Sequence, residues 1–285
     1  MSRVDDLLAA PRGRALCAAM ARHGDVFDAL GDAVAFAAYW QEPMDADETD
    51  VPDEHLRRWA EVVVRGPGID WWRAPVQLAD QWQCELPDQP LKVDPAEGLA
   101  QWAADERAAV LAPDYRNRDD VSGTWWSAPV RVPSTTRSLP ARGPVGLWLT
   151  EDESGARRAR CWPMQPTHEP RVFEVHGPDD WAQLARAHPF DVTDSRAPDW
   201  KRATGRVGKW VIPDWRAVAA DYDAVHVSAW GWLTTAGRPV PVNGAASLLA
   251  GWSPDQTYWL ADCLAPAGPP LDYERDEDGA WHVAG

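Results

Sequence analysis

The stretch GRVGKWVIPDWRAVAADYDAVHVSAWGWLTTAGRPVPVNGAASLLAGWSPDQTYWLAD, residues 205–262, carries most of the readable organisation of this chain. Apolar runs alternate with turn residues in it, which predicts one helix among several short strands. Pro213 and Asp214 favour the start of that helix, because proline fits a first turn and aspartate caps free N–H groups. The predicted strands are 209–212, 223–228, 247–251 and 256–260.

Segments upstream continue the same pattern. Residues 171–176, RVFEVH, alternate apolar and polar as a half-buried strand does. Residues 145–150, VGLWLT, predict a buried strand. Further strands are predicted at 134–139 and 159–164, a helix from Pro178, and irregular chain at 191–200.

The N-terminal third predicts helices, at 4–40, from Asp53, and at 94–111, where Asp94 is expected to cap the first turn. The fold class is therefore α+β, with a helical N-terminal region and a mixed or antiparallel sheet in the C-terminal half. Three divisions are expected: a mainly helical region with one WWxAPV strand segment, an α+β domain, and an acidic, Pro-rich tail that is poorly ordered. They cover residues 1–120, 121–265 and 266–285.

The composition excludes several classes of function. A net charge of −16 and a pI near 4.8 disfavour a nucleic-acid partner, because affinity for the phosphate backbone comes mostly from Lys and Arg. The same charge disfavours anionic membranes and suits a basic protein partner. No apolar run reaches the roughly 20 residues of a membrane span, and the N-terminus lacks a signal-peptide pattern. A cytoplasmic protein is expected.

Metal and disulfide chemistry is not indicated. The cysteines form no CxxC, so buried free thiols are expected rather than disulfides or a metal site. The seven histidines have no ligand spacing, and no metal is expected. The 19 tryptophans serve either as apolar pegs in a loop-rich fold or as rings that line a cleft for a base, nicotinamide or sugar.

Two hexamers, WWRAPV at 71–76 and WWSAPV at 125–130, differ at one position. Each precedes a polar, strand-like segment, which indicates either an old duplication or two edge strands that begin alike. Asp-Trp pairs also recur, and at least two of them stand at predicted helix starts, where Asp caps and Trp anchors the first turn. These pairs are 70–71, 180–181, 199–200 and 214–215.

The order of the segments resembles two known patterns. The first is a family of actinobacterial proteins without an assigned activity, which is similar over nearly the whole chain, including LLAAPRGRALC and WWSAPV. The second, more distant, is the ADP-ribosyltransferase fold of bacterial and phage toxins, which residues 133–262 resemble. The matching segments are GLWLTED, RVFEV, PDWRAVAADYDAVHVS and QTYWLAD. The transferase resemblance implies NAD as a substrate.

That resemblance also implies roles for individual residues. Arg137 matches the first-strand residue that holds the dinucleotide. Trp148 and Thr150 match the aromatic and hydroxyl groups that support the nicotinamide ribose. Asp223 matches the Asp of a later strand and completes the candidate NAD-binding set.

The catalytic Glu of the family is expected immediately before the last strand, where this chain has Asp255-Gln256-Thr257. A carboxylate there stabilises the ribosyl cation as nicotinamide leaves, and Gln brings no charge. Asp255 is the carboxylate nearest to the expected position. The candidate catalytic residues are Arg137, Asp255 and Gln256.

Other polar residues have a structural and a functional interpretation. His226 is expected to be a core histidine with its hydrogen bonds satisfied; its functional role would be a general acid or base beside Asp223. Glu174 is expected to be exposed on its strand. Residues 151–153 form either a solvated turn or the missing carboxylate.

Two functions remain open. One is an NAD-using ADP-ribosyltransferase-like protein, a toxin or modifying enzyme, in which Arg137, Trp148 and residues 255–257 converge on one cleft. The other is a non-catalytic acidic binding protein, of immunity or partner-binding type, which retains a degenerate transferase fold. It would use the acidic residues at 45–54 and exposed tryptophans. A sugar-binding module is supported by tryptophan content alone.

Overall fold

A computed structural model describes residues 2–35, 51–87, 91, 94–111, 125–151 and 155–285. Most of the acidic segment expected to bind a partner lies outside these residues, since only 51–54 of it are described. Asp152 and Glu153, named above as a source of the missing carboxylate, also lie outside them.

Helices occupy the N-terminal third and return between later strands. Aspartate caps two of them as predicted: Asp94 accepts hydrogen bonds from the N–H groups of Ala96 and Glu97, and Asp214 caps the helix at Trp215. No helix of the described chain is long and apolar enough to cross a membrane. The helices are α1 (Arg3–Leu8), α2 (Pro11–Ala19), α3 (Val26–Ala35), α4 (Asp53–Arg65), α5 (Pro95–Leu111), α6 (Pro178–Ala187), α7 (Thr193–Thr204), α8 (Trp215–Asp221) and α9 (Ala229–Thr235), with 3-10 helices at Asp70–Arg73 and Val145–Leu147.

The strands are short and mostly antiparallel. They are β1 (Gln81–Glu85), β2 (Ser134–Thr136), β3 (Ser138–Leu139), β4 (Gly143–Pro144), β5 (Arg158–Pro166), β6 (Val172–Val175), β7 (Pro189–Asp191), β8 (Val211–Pro213), β9 (Ala224–Val227), β10 (Val240–Val242), β11 (Ala245–Ser247), β12 (Gln256–Trp259), β13 (Leu264–Pro266), β14 (Leu271–Arg275) and β15 (Trp281–Val283). Three small antiparallel pairs, β3–β4, β7–β8 and β10–β11, stand apart from the main sheet.

Nine of the described strands form the main sheet. Its path is β15-β14-β5-β1-β2-β12-β9-β6, with β13 also paired to β5. Neighbours are antiparallel except β6 and β9, which are parallel. The predicted α+β class with a mixed sheet is confirmed. However, β1 comes from the region expected to be mainly helical and lies in the middle of this sheet.

The two faces of the sheet differ in chemistry. Successive residues of a strand point to opposite faces. Val225 and Val227 of β9 therefore share a face with Tyr258 of β12, and all three are buried in the apolar core with residues of the helices. We call this the helix face. The opposite face, which carries His226 and Thr257, is called the polar face.

Tryptophan fills much of the core. Trp181, Trp215 and Trp252 contact one another with ring centroids 5.9 to 6.3 Å apart. Each ring removes a large apolar area from water, which stabilises a fold built from many short elements. The largest fully buried side chains include Trp72, Trp181, Trp200, Trp210, Trp215, Trp232, Trp252 and Trp259.

Several predictions of local structure are wrong. Residues 145–150 form a 3-10 helix and turn instead of a buried strand, because the N–H of Trp148 bonds to the carbonyl of Val145, three residues earlier. Residues 191–200, expected to be irregular, include most of α7. The WWRAPV segment is not an edge strand: Asp70–Arg73 is a 3-10 helix, and the strand of this region is β1.

The C-terminal tail is also different from its prediction. Residues 266–285, expected to be poorly ordered, include β14 and β15. β14 pairs with β5, and Tyr273 and Trp281 are buried in a second apolar cluster with Leu147. The prediction relied on the acidic, Pro-rich composition of the tail and overlooked Tyr273 and Trp281, whose burial fixes it to the sheet.

Cys84 of β1 and Cys161 of β5 form a disulfide, contrary to the expected free thiols. They are directly opposite each other in the ladder, with Cα atoms 4.1 Å apart. Disulfides are rare in cytosolic proteins, so this pair does not favour the expected cytoplasmic location. Cys17 and Cys263 are buried thiols.

Substitution of Gly231 in α9 tests how closely this helix packs on the sheet. A Cβ at Gly231 would lie 2.1 Å from the carbonyl oxygen of Val175, which is backbone and cannot turn away. We expect Gly231→Ala to lower the free energy of unfolding by about 1–3 kcal/mol. Gly31→Ala in α3, where a Cβ meets nothing within 4 Å, is the control and is expected to raise it by about 0.5–1 kcal/mol. Urea denaturation measures both, and similar effects at the two positions would contradict the close contact.

Candidate functional site

A row of polar side chains crosses the polar face. Glu174 of β6 is opposite His226 of β9. His226 is in turn opposite Thr257 of β12, which is opposite Thr135 of β2. Directly paired residues point to the same face. Gln81 of β1 extends the row, because the Thr135 hydroxyl donates to its side-chain oxygen.

This row is costly for folding. A buried polar group without a partner costs about 1–3 kcal/mol. Thr257 is fully buried, and its hydroxyl has no hydrogen-bond partner among the described residues. The hydroxyl of Thr135, by contrast, also accepts from Trp259 Nε1 at 2.8 Å. A sheet that served packing alone would carry apolar side chains here.

Arg137 and Asp255 form a buried ion pair beside the row. Arg137 Nη2 lies 2.6 Å from Asp255 Oδ1, and Nε donates to Oδ2 at 2.8 Å. The exposed fraction is 5% for Arg137 and 1% for Asp255. The ring of Trp71 faces the guanidinium, whose carbon is 5.7 Å from the ring centroid. Paired contacts of this kind fix the orientation of both charged groups.

The backbone is shaped to make this contact. Arg137 lies at the break between β2 and β3, and its N–H also donates to Asp255 Oδ2 at 3.2 Å. Asp255, just before β12, has a left-handed φ of 59°, which is uncommon for a residue other than glycine. Such a conformation persists when its surroundings hold it in place, and three contacts with Arg137 do so here.

His226 lies between two carboxylates. Its Nδ1 is 2.6 Å from Glu174 Oε2, and its Nε2 is 3.4 Å from Asp255 Oδ1. Burial opposes the charged imidazolium. Hydrogen bonds and attraction from Asp255 and Glu174 outweigh burial and raise the pKa of His226 to about 9. His226 is therefore charged at neutral pH.

The two carboxylates are ionised for the same reason. Burial acts to raise the pKa values of Glu174 and Asp255, but hydrogen bonds and attraction from His226 lower both, with a further contribution from Arg137 at Asp255. The cluster thus holds two cations and two anions at neutral pH. Buried ions require this compensation, because an unpaired buried charge is strongly destabilising.

An irregular segment covers the cluster. We call residues 74–80 the strap. The carbonyl of Pro75 accepts a hydrogen bond from Arg137 Nη2 at 3.2 Å, and the N–H of Val76 donates to Glu174 Oε1 at 3.0 Å. The strap therefore binds both a cation and an anion of the cluster through its backbone.

Two side chains anchor the strap at its C-terminal end. Leu78 packs in a small apolar cluster with Trp259. The carboxylate of Asp80 accepts hydrogen bonds from the N–H and the hydroxyl of Ser138 at 3.0 Å. Its position over the polar face is thus set by side chains as well as by the charged pair.

The structure separates several residues that the resemblance grouped. Trp148 and Thr150 lie toward the helix face, where Thr136 Oγ1 accepts from the N–H of Gly146 at 2.8 Å. The Trp148 Nε1 donates to the carbonyl of Arg142 at 2.8 Å, and the Thr150 hydroxyl donates to the carbonyl of Gly146. Neither side chain joins the Arg137 cluster.

Gln256 and Asp223 also lie away from the cluster. Gln256 points to the helix face, where its side-chain NH2 donates to Ser134 Oγ at 3.2 Å. Asp223 precedes β9 and pairs with Arg171 at 2.9 Å. It is three residues from His226, or roughly 10 Å along the strand. The functional interpretation that set His226 beside Asp223 is wrong; its neighbours are Glu174 and Asp255.

Glu174 is the residue that sequence reasoning missed. It was expected to be exposed, but its side chain is 23% exposed and ion-paired with His226. One signal was present: in VFEV (172–175) and AVHV (224–227) a single polar residue stands third in an apolar strand. The two strands are parallel and in register, so these residues meet.

Neither a metal-binding arrangement of side chains nor a known relative indicates the function of this site. In the part of the chain that the structure describes, no group of three or more His, Cys, Asp and Glu residues is placed to hold a metal. No protein-family model, no curated protein and no solved structure matches the chain. The function therefore rests on the geometry of the site.

Substitution of Thr257 tests whether the side chains of the polar face stabilise the fold. Thr257→Val removes a buried hydroxyl for which the described part of the chain offers no partner, so we expect the free energy of unfolding to stay the same or rise by about 1 kcal/mol. Thr135→Val is the matched control and is expected to lose about 1–3 kcal/mol, because its hydroxyl has two partners. Chemical denaturation measures both. An equal loss at the two positions would mean that the Thr257 hydroxyl is already satisfied.

The raised pKa of His226 makes the free energy of unfolding depend on pH. A group whose pKa is higher in the folded state contributes fully below its unfolded value, here 6.5, and the contribution is lost as the pH rises through about 9. We expect the free energy of unfolding to fall by about 3 kcal/mol across this window. In His226→Gln, which lacks the titrating imidazole, we expect the free energy of unfolding not to show this fall. Denaturation at a series of pH values measures it, and identical slopes for both proteins would contradict the assignment.

Proposed function

We propose that this protein is an ADP-ribosyltransferase-like protein that uses NAD, as a toxin or macromolecule-modifying enzyme, with its site on the polar face beneath the strap. The contact between Arg137 and Asp255 carries the proposal. The resemblance relates these two positions to the bound dinucleotide and to catalysis, and strand pairing brings them together from 118 residues apart. Polar residues on a covered sheet face cost stability, which points to a use other than packing.

The side chains of the polar face fit parts of NAD. Arg137 would bind the dinucleotide, the role that the resemblance gives it, through a hydrogen bond from its guanidinium to an oxygen of NAD. The hydroxyls of Thr257 and Thr135 suit the hydroxyls of a ribose, and the unsatisfied hydroxyl of Thr257 supports this role. Trp71 offers a ring for stacking. When bound, NAD supplies an ADP-ribosyl group with nicotinamide as the leaving group.

Two carboxylates take the place of the glutamate that the resemblance expects. Asp255 is the carboxylate nearest to the expected position, just before β12, and Glu174 reaches the cluster from β6. His226 contacts both of them and keeps them ionised. An ionised carboxylate in a site shielded from water stabilises positive charge that develops in a substrate. The proposed chemistry thus uses the cluster in place of a single glutamate.

Binding at this site requires the strap to move. Arg137 donates to Asp255 and to the carbonyl of Pro75, which leaves little of its surface accessible. The strap contains no helix or strand, so it lacks a ladder of backbone hydrogen bonds. Segments with few such bonds open locally at a lower free energy than the global unfolding of the protein.

A second function is favoured by the closure of the cluster. Each of its charges has an internal partner, and Trp148 and Thr150 lie elsewhere, which is the arrangement of a degenerate transferase site. The protein would then be a non-catalytic acidic binding protein for a basic partner, in line with its net charge of −16. Asp53 and Glu54, with side chains 86% and 84% exposed, are in the described end of the acidic segment.

Calorimetric titration with NAD tests the first function. We expect saturable binding with a Kd below about 1 mM. Arg137→Lys is expected to weaken it by about tenfold or more, because an ammonium cannot make the paired hydrogen bonds to Asp255 that orient the guanidinium. Thr257→Val is expected to weaken it without loss of stability.

Asp223→Asn is the matched control. The resemblance assigns Asp223 to the dinucleotide, whereas the structure places it at the other end of β9, so NAD affinity is expected to be unchanged. Far-ultraviolet circular dichroism checks that each variant is folded. Absence of binding at several times 1 mM NAD, or equal affinity of wild type and Arg137→Lys, would remove NAD and leave the acidic binding protein.

A further inference from the structure

One peptide group of the strap bridges the charged cluster. Its carbonyl, from Pro75, accepts from Arg137 Nη2 at 3.2 Å, and its N–H, from Val76, donates to Glu174 Oε1 at 3.0 Å. The described chain contains no cis peptide bond, so this group is trans. The C=O and N–H of a trans peptide point in opposite directions. Arg137 and Glu174 therefore hold the same amide from its two sides.

Arg137 and Glu174 together select for an amide group. An arginine side chain only donates hydrogen bonds, and an ionised carboxylate only accepts them. A group that satisfies both must present one acceptor and one donor on opposite sides, as a carboxamide does. A carboxylate would place a like charge against Glu174, and an ester would offer it no N–H. Both contacts involve an ionised partner, which makes them stronger than hydrogen bonds between neutral groups.

The rest of the cluster keeps the two groups ready for an amide. Asp255 orients Arg137, and the charged His226 keeps Glu174 ionised. β6 ends the path of the sheet, and the Glu174 side chain, at 23%, is the most exposed of the four charged side chains. A ligand would therefore enter from this edge when the strap leaves.

We infer that Arg137 and Glu174 form a carboxamide-binding site, which the Pro75–Val76 peptide fills while the strap is closed. The ligand class is a small molecule or side chain with a primary or secondary amide. The inference rests on the proposed function in one respect, since the amide that NAD would bring is the primary carboxamide of its nicotinamide ring. Such a carboxamide has an N–H directed away from its C=O, as a trans peptide has.

The test compares nicotinamide with nicotinate, which share a ring and differ in carrying an amide or a carboxylate. Each is titrated into the full-length protein, and binding is followed by ligand-observed NMR. We expect nicotinamide to bind more tightly by about tenfold or more, because opposed like charges strongly disfavour an interface. Equal affinities, or binding of neither compound at about 20 mM, a concentration that detects even weak complexes, would overturn the inference.

Glu174→Gln tests the residue that discriminates. A side-chain amide both accepts and donates, so Gln at this position accommodates either compound. The preference for nicotinamide is expected to fall to about twofold or less. Glu169→Gln, an exposed glutamate in the loop before β6, is the matched control and keeps the wild-type preference. A preference that survives Glu174→Gln would place the amide elsewhere and overturn the inference.

Hydrogen–deuterium exchange reports on the strap itself. The Val76 N–H loses its acceptor when a ligand amide replaces it, so saturating nicotinamide is expected to speed exchange in a peptide that covers residues 74–80. Nicotinate at the same concentration is the control. Unchanged exchange with bound nicotinamide would show that the amide does not compete with the strap, contrary to the inference.

The outcomes also separate this inference from the proposed function. NAD binding that depends on Arg137, without a preference for nicotinamide over nicotinate, would keep the NAD function and remove the carboxamide site. A preference for the amide in a protein that does not bind NAD would support the carboxamide site and remove the NAD function.

Discussion

The buried ion pair between Arg137 and Asp255 is the contact on which the centre of this structure depends. It joins the end of β2 to the turn before β12, and it holds Asp255 in a left-handed backbone conformation. Through His226 it extends to β9 and to Glu174 of β6. Removal of either partner would leave a buried charge without compensation, which is far more destabilising than the pair itself is stabilising.

A second buried ion pair in the same protein joins two helices. Arg196 of α7 makes two hydrogen bonds of 2.6 and 2.7 Å to Glu106 of α5, and the carbonyl of Trp126 accepts from the same guanidinium at 2.7 Å. Its partners are a side chain of α5 and the carbonyl of a residue between α5 and β2. The Arg137 pair differs because one of its partners is the carbonyl of Pro75 in the strap, a segment without helix or strand.

The two faces of the sheet are covered by different kinds of structure. Helices and tryptophan rings fill the helix face, whereas the central polar face carries hydroxyls, a histidine and carboxylates under a segment without regular structure. Polar groups on a covered face lower stability unless every hydrogen bond is made, and Thr257 leaves one unmade. Natural proteins depart from good packing chiefly where function requires it, which is the physical basis for locating the site here.

The sequence by itself determined the local features of this protein. Periodicity and caps at Asp94 and Asp214 gave the helix starts, and apolar patterns gave five strands of the C-terminal half, β5, β6, β8, β9 and β12, because these signals lie within a few residues of one another. Only tertiary structure decided that β1 enters the centre of the sheet and that residues 266–285 add strands to it. It also paired Cys84 with Cys161, and it set Glu174 against His226 beneath the strap. These features depend on which strands pair and in what register, and the residues concerned are 52 to 118 positions apart. No local pattern encodes such pairing, because burial and partners belong to the assembled sheet and not to the segment.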